Sequence, residues 1–497
     1  MNPAAVRVVV IGAGMVGSRF ADELNRLDDA MEIDVLGEES YEPYNRVLLT
    51  ELLAGRVDLA GLSLPQPAGK RIRIWQDAAA LGIDRERQIV HTGERDFGYD
   101  HLVFATGARA RIIPIPGLRD GLPGGAHVLR NLNDTRDIAA ATLNARHAVV
   151  IGGGPLGLEA ACGLRHRGVD VTVMSVMDTL LDRDLDASVA EVVENAAADL
   201  GIAFVGGAQI ASISTANGRV TDVCMAGGTT YPADLIVLAC GTVPETTLAV
   251  AAGLQTHAGI VVGADLRTQT DTRISAIGDC AETPAGVSGL VAPGWAQARA
   301  LARSIAGDVR VGNTEIAGSA MRLKAVGLSV ITMGVRESGA ADGDRVVALH
   351  DRKERRFVEV VVRDDTLVGI TCVGDPEIGA HLSTQFDRPG ILPADPLHLL
   401  MGTAAGQAPE AASPTTMPSI TTVCRCNGVT KGDLVHAWGG GCASVEALAE
   451  KTLATTGCGG CKPLVCGIVD WLGASDPLPP DSSQQPAAPR EPTVPAR

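Results

Sequence analysis

The sequence predicts an α/β protein of several domains, built on parallel sheets with many tight turns. Three observations predict this class. The chain has 497 residues, more than one hydrophobic core organises, so two to four domains are expected. Hydrophobic residues make up 46% of it and there are 58 glycines. A strand, a glycine-rich loop and a helix also follow one another twice, once from residue 7 and once from residue 147.

Composition removes several classes. The net charge of −16 speaks against nucleic acid or an anionic membrane as a partner, since both need a basic surface. The opening "MNPAAVRVVVIGAGMVG" has a short apolar run broken by glycine, unlike a signal peptide. No apolar stretch reaches the roughly 20 residues that span a bilayer. A cytoplasmic location with reduced thiols is expected. Of the 11 cysteines, Cys162, Cys224, Cys240 and Cys372 lie in apolar or strand-like settings and read as small core residues.

Residues 7–11, "RVVVI", read as a buried parallel strand. They lead into Gly12-x-Gly14-x-x-Gly17 and the helical "SRFADELNRL". Such a loop lets the backbone approach a pyrophosphate at a helix N-terminus. The next strand, "EIDVLG", ends beside Glu38 and Glu39. An acid about 20 residues past the loop suits the hydroxyls of a ribose. The second copy, "HAVVIGGGPLGLEAACGLRHRG", carries Gly152-x-Gly154-x-x-Gly157. Its next strand, "DVTVMS", ends at Ser175, with no arginine directly after it for a 2′-phosphate. Two Rossmann-like units imply two dinucleotides, a flavin and an exchanging nicotinamide with a slight lean to NADH over NADPH. Further segments end strands in glycine turns: "LVFATGARARIIPIPG" at Gly107 and "LIVLACGTVPET" at Gly241. "ISAIGDCAE" places Asp279 after a short strand and a glycine, where an acid could meet a flavin's ribityl chain.

Taken in this order, residues 1–310 resemble the two-dinucleotide flavoprotein reductases of the glutathione-reductase fold. "YEPYNRVLLTELLAG" and "LVAPGWAQAR" are similar to the pyridine-nucleotide-dependent part of assimilatory nitrite and nitrate reductases. The resemblance implies a split FAD domain, 1–112 and 246–310, with an NAD(P)H domain inserted at 113–245. It implies that Gly12, Gly14, Gly17, Glu38, Arg46, Thr106 and Asp279 contact FAD. It implies that Gly152, Gly154, Gly157, Glu159 and Gly241 contact the nicotinamide nucleotide, with Glu159 near the ring. Two departures stand out. The stretch 40–55 has no cysteine, where disulfide reductases carry a pair facing the flavin. Glu51 stands where ferredoxin-reductase relatives have a lysine that pairs with the glutamate matching Glu159.

Residues 313–400 show strand-like runs and resemble the C-terminal α+β domain of such reductases, which often takes part in dimerisation; a homodimer fits this. "DDTLVG" at 364–369 reads as a hairpin turn, and "HDRKERR" as a solvated charge run. Residues 402–419 read as a linker rich in small residues and proline. The tail 473–497 has the composition of a disordered segment.

Residues 421–472 form a module of their own, with Cys424-x-Cys426 and Cys458-x-x-Cys461. Short helices are expected over "VTKGDLVHAW" and "SVEALAEKTLATTG". So small a core gains stability from a metal centre. Four thiolates suit either a zinc ion or a 2Fe-2S cluster, though the Cys-x-Cys pair is tight for zinc. The module resembles bacterioferritin-associated ferredoxin, through "VCRCNGVTKGDL" and "TGCGGCKPLV", and this resemblance implies a 2Fe-2S cluster on Cys424, Cys426, Cys458 and Cys461. Cys442 and Cys466 fall outside the ligand pattern.

The modules then read as a circuit. A nicotinamide delivers two electrons as hydride, a 2Fe-2S cluster accepts one at a time, and a flavin does both. The chain is expected to be an NAD(P)H-dependent FAD/iron-sulfur oxidoreductase, with no side chain acting as acid or base. The resemblance, with no sirohaem or molybdopterin domain in the 497 residues, points to a separate catalytic nitrate or nitrite reductase subunit as the acceptor. A reductase for ferredoxin, rubredoxin or bacterioferritin iron is the alternative, as is a cluster-based redox sensor.

Overall fold

The computed structural model describes residues 5–64, 69, 71–307, 320–386, 392–393, 395–400, 414–415, 417–424, 429–455 and 461–475. The chain forms two compact units, Met1–Gln407 and Ala408–Arg497.

The first unit holds two five-stranded parallel sheets. One runs, edge to edge, through Ile274–Ala276, His101–Phe104, Arg7–Ile11, Glu32–Leu36 and Ile72–Trp75. The central strand pairs on both sides, Val9 with Asp34 and with Leu102. Both faces are covered, which is why its residues Val8, Val9, Val10 and Ile11 are all buried. The helices Met15–Leu27 and Val291–Ile305 bring Phe20, Leu24 and Leu301 to this core. The second sheet repeats the plan with Ile202–Val205, Asp170–Met174, His147–Ile151, Leu235–Leu238 and Ala126–Val128. The chain enters and leaves the second sheet side by side, where Ala108–Ala110 pairs antiparallel with Thr242–Pro244.

A third sheet is antiparallel, in the order Ala320–Ala325, Leu328–Gly334, Thr366–Val373, Arg356–Arg363, Arg345–Asp351. Met321, Leu323, Leu328, Val330 and Phe357 share one apolar cluster with the second sheet's helices Pro155–His166 and Ala187–Asp199. Helices Pro376–Phe386 and Leu397–Leu400 pack against a separate cluster that includes Val358 and Ile370. The hairpin expected at 364–369 turns on Asp364 and Asp365, both at positive φ (47° and 58°), as a two-residue turn of twist-matching type requires. The charge run 350–356 forms the other tight connection. There Arg355 pairs with Asp199 at 2.8 Å and Arg356 with Asp375 at 3.7 Å.

The second unit has an apolar core of its own, built on Leu434, Trp438, Leu448, Val465, Ile468 and Leu472. Its first two helices are Lys431–Gly439 and Val445–Thr452, matching the two expected. Thr430 and Asp433 form a reciprocal cap at the start of the first. A third helix, Lys462–Ser475, was not anticipated. It extends past residue 472, so the first residues of the expected tail are helical. The expected linker also differs at its end. Lys431 is only 7% exposed because its ammonium donates to the carbonyls of Pro414 and Met417 and lies over the Trp471 ring at 4.6 Å. Residues 401–413 and 416 lie outside the described residues. Among the described residues no helix is long and apolar enough to cross a membrane.

Candidate functional site

The first glycine loop is a close crossing of backbones. Gly12 has φ +113°, and a Cβ there would stand 2.2 Å from the Ala105 carbonyl oxygen. A Cβ on Gly17 would stand 2.0 Å from the Gly12 carbonyl oxygen. Both glycines are needed to let the helix Met15–Leu27 start directly against the strand ends. Gly14 is different: only the Arg46 side chain comes near, with Nε at 3.9 Å. It caps the helix and, being glycine, sets no side chain over the first N–H groups. Those groups and the helix dipole are left to an anion.

The second loop repeats this geometry. A Cβ on Gly152 (φ +131°) would lie 2.2 Å from the Ala239 carbonyl, and one on Gly157 would lie 2.0 Å from that of Gly152. A Cβ on Gly154, which caps the helix Pro155–His166, would meet nothing within 4 Å. Both cradles therefore have the space and the donors for a pyrophosphate.

The other expected residues gather around these loops. Thr106 lies against Gly12, and its hydroxyl donates to the Glu245 carbonyl at 2.8 Å. Gly241 has φ +91°, and a Cβ there would meet nothing within 4 Å. Asp279 follows Gly278 (φ +76°), whose N–H donates to Gln297 at 2.7 Å on the helix Val291–Ile305. Its carboxylate receives Arg130 Nη2 at 2.6 Å. Arg46 pairs with Glu39 and stacks over the Tyr44 ring at 4.9 Å. Tyr44 donates to Glu39 at 2.7 Å and accepts the Leu132 N–H at 3.0 Å. Burial pushes its phenol well above the ordinary tyrosine range. Glu38 is exposed at the end of its strand, while Glu39 is turned into the Arg46–Tyr44 network. Reading the sequence missed Tyr44, a partner of Glu39, and Arg130, the partner of Asp279. The doublet Glu38–Glu39 was the one available signal.

Glu159 stands in the helix that starts at the second loop. It accepts from the Thr50 hydroxyl at 2.8 Å and from the Lys324 N–H at 2.8 Å. Burial raises its carboxyl above the usual range; the Lys324 N–H, the Thr50 hydroxyl and the Lys324 charge pull it down, and Glu51 pushes it up. Glu51 is itself nearly buried and pairs with Arg56 at 3.2 Å. Ser175 is buried, and its Oγ accepts the Met177 N–H at 3.1 Å.

Of the cluster cysteines, Cys426 and Cys458 lie outside the described residues. Cys424 ends the short strand Thr422–Cys424 and is 2% exposed. Cys461 directly precedes the third helix, and both cysteines belong to or pack against the module's apolar cluster. One buried and one half-buried thiol, brought to one core from either end of a small module, fit thiolate ligation of a cluster. Cys442 and Cys466 are half-buried. Elsewhere Cys162 and Cys372 are buried as expected, with thiols pushed up to about 12 by burial. Cys224 and Cys240 are half-buried rather than buried: Cys224 lies in the strand Arg219–Met225 of a small three-stranded antiparallel sheet, and Cys240 lies just past the end of the strand Leu235–Leu238.

Residues 6–300 match the family model described as pyridine nucleotide-disulphide oxidoreductase. The chain belongs to the pyridine nucleotide-disulphide oxidoreductase family. Residues 422–471 match a second model, a BFD-like [2Fe-2S] binding domain. As a member of this family the chain is an NAD(P)H-dependent oxidoreductase, and its cofactors are FAD, a pyridine nucleotide and a 2Fe-2S cluster. It is 32% identical over 481 residues to a nitrite reductase [NAD(P)H] of Bacillus subtilis (strain 168), covering 95% of this chain and 58% of that protein. It is 33% identical over 488 residues to an assimilatory nitrate reductase electron transfer subunit of the same organism, covering 96% of this chain and 61% of that one. The chain thus spans about three-fifths of each of these two relatives' length. Among solved structures, a covalent putidaredoxin reductase–putidaredoxin complex aligns with TM-score 0.69 at 27% identity, over 80% of this chain and 96% of that one.

Proposed function

We propose that the chain carries electrons from NAD(P)H through FAD and its 2Fe-2S cluster to a separate catalytic subunit of assimilatory nitrate or nitrite reduction. The observation that carries the electron path is the pair of open-centred glycine cradles in a chain that also bears the four-cysteine module. The names of the relatives matched along nearly the whole chain support the terminal acceptor.

Each residue has a stated part. Gly12, Gly14 and Gly17 hold the FAD pyrophosphate with backbone N–H groups, and Arg46 beside Gly14 adds positive charge. Glu38 takes the adenosine ribose. Thr106 lines the flavin at the crossing with Gly12. Asp279, held by Arg130, takes the ribityl chain. Gly152, Gly154 and Gly157 hold the nicotinamide nucleotide's pyrophosphate, Gly241 leaves room along it, and Glu159 orients the nicotinamide end. Cys424, Cys426, Cys458 and Cys461 hold the cluster. FAD, when bound, accepts electrons as a pair and releases them singly, which joins a hydride donor to a one-electron acceptor. The residues bind, orient and exclude water, and none needs to act as acid or base. The domain limits read from the sequence, and the third sheet as a dimerisation surface, belong to the same proposal.

The test mixes the full chain, NADH and the candidate catalytic subunit. Nitrate- or nitrite-dependent NADH oxidation is expected, and its absence with an active catalytic subunit would sink the acceptor assignment. The likeness to a putidaredoxin reductase solved with putidaredoxin, and to a probable ferredoxin reductase, favours one second reading, reduction of a free ferredoxin-type protein. Faster turnover with such a protein than with the catalytic subunit would establish it.

A further inference from the structure

Glu159 is gripped by residues far from it in the chain. Thr50, 3% exposed, stands on the short helix Leu49–Leu53 next to the first glycine unit. Lys324 stands on the third sheet's edge strand Ala320–Ala325. The Thr50 hydroxyl donates to Oε2 and the Lys324 N–H to Oε1, each at 2.8 Å. One carboxylate therefore joins three elements of the fold. With each oxygen engaged, the group cannot turn about its last bond without losing a hydrogen bond.

The surrounding charges are few. From the short helix, Glu51 repels Glu159 and is offset by Arg56. From the third sheet, Lys324 attracts it. On its own helix, the Cys162 thiol is pushed up to about 12 by burial and by Glu159 itself, so it stays neutral. A donor to the charged form of an acid favours that form. The two grips thus offset part of the cost of burying the carboxylate.

We propose that Thr50 and Lys324 are positioning residues for Glu159, through which the flavin unit and the third sheet together set the orientation and charge of the nicotinamide end of the site. The inference rests on the placement of Glu159 at that end. It assigns a part in hydride delivery to the third sheet, which carries none of the site residues proposed above.

The experiment follows flavin bleaching by NADH in the full chain with FAD bound, by stopped flow across pH. T50V removes the hydroxyl and keeps the shape, T50S keeps the hydroxyl, K324M keeps the backbone bond, and E159Q reports on the placement. T50V is expected to slow flavin reduction roughly tenfold, the worth of one hydrogen bond to a charged group. It should also move the acid limb of the rate profile to higher pH, because the charged form has lost a donor. T50S should restore both, and K324M should move the limb less than T50V. A native profile for T50V beside an impaired E159Q overturns the proposal and leaves the placement standing. A native E159Q overturns the placement, and the proposal with it. Loss of FAD from both T50V and T50S counts against the proposal, since the role of Thr50 would then be structural.

Discussion

The two glycine loops are nearly the same object built twice. The first and third glycines of each would drive a Cβ into a carbonyl oxygen at 2.0–2.2 Å. Each loop packs on a three-residue turn, Ala105–Thr106–Gly107 in one and Ala239–Cys240–Gly241 in the other. They part company in the side chains around this frame. Beside Gly14 stands Arg46, locked to Glu39 and Tyr44, while a Cβ on Gly154 would meet nothing within 4 Å. After the second strand one unit has two glutamates and the other has Ser175. The Thr106 hydroxyl donates to the Glu245 carbonyl, whereas the Cys240 thiol donates to the Ile151 carbonyl and is pushed up to about 11 by burial. The cradle proposed for a pyrophosphate is thus a backbone property that repeats in both units. Which nucleotide is held, and how firmly, lies in a few side chains. A walled first cradle suits a resident cofactor and an open second one suits an exchanging cofactor.

The shared frame can be broken first. Gly17→Ala or Gly157→Ala places a methyl 2.0 Å from backbone, and a loss of more than about 3 kcal/mol is expected because backbone must move. Thermal unfolding checks it: equal losses in both variants support the symmetry, and unequal ones break it. A control that touches neither loop comes next in size. Glu359 is buried in the third sheet, and burial lifts its carboxyl to about 6. The folded state therefore holds this proton more tightly than the unfolded chain does. Its contribution is fully present below the ordinary pKa near 4.5 and is lost as pH rises through about 6. Glu359→Gln removes the loss. It should raise stability by up to about 2 kcal/mol above pH 6 and by nothing at pH 4, as read by denaturant titration at the two pH values.

The differences between the loops can be sharpened next. Gly154→Ala adds a methyl in open space, so the fold and bound FAD should be unchanged. The KM for NADH should rise at least tenfold, about 1.4 kcal/mol, because the methyl occupies the pyrophosphate's approach. An unchanged KM would mean that the nucleotide does not lie there. The smallest effect is expected at Ser175. Ser175→Asp gives the second unit an acid where the first has two, and should shift preference toward NADH over NADPH by roughly fivefold, on the order of 1 kcal/mol. Comparison of kcat/KM for the two nucleotides decides it.

What could be read from sequence follows the same division. Strand, loop and helix were legible at both units because the signals are local: an apolar run, three glycines, a helical period. The hairpin at Asp364–Asp365 was legible for the same reason. The grip on Glu159 was not, because its partners stand 109 and 165 residues away. Arg130 on Asp279, 149 residues apart, was hidden likewise. The choice between Glu38 and Glu39 turns on which one faces Arg46, and a doublet cannot show that. The third helix of the cluster module follows directly on Cys461, and its apolar period, Leu464, Val465, Ile468 and Leu472, begins within three residues of that cysteine pair, where the ligand spacing masks it.

The Lys431 staple bears on how the cluster module can be transplanted. Its buried ammonium ties Pro414 and Met417 to the first helix and lies over Trp471 on the last. The N–H groups of Lys431 and Gly432 donate at 2.7 Å to the carbonyls of Thr421 and Ser419. The stretch leading into the module is thus part of its core rather than a leash. A graft cut at 422–471, the span of the family match, would leave a buried cation without its carbonyl partners and would shorten the last helix. A portable electron acceptor taken from this chain should run from Pro414 to Ser475.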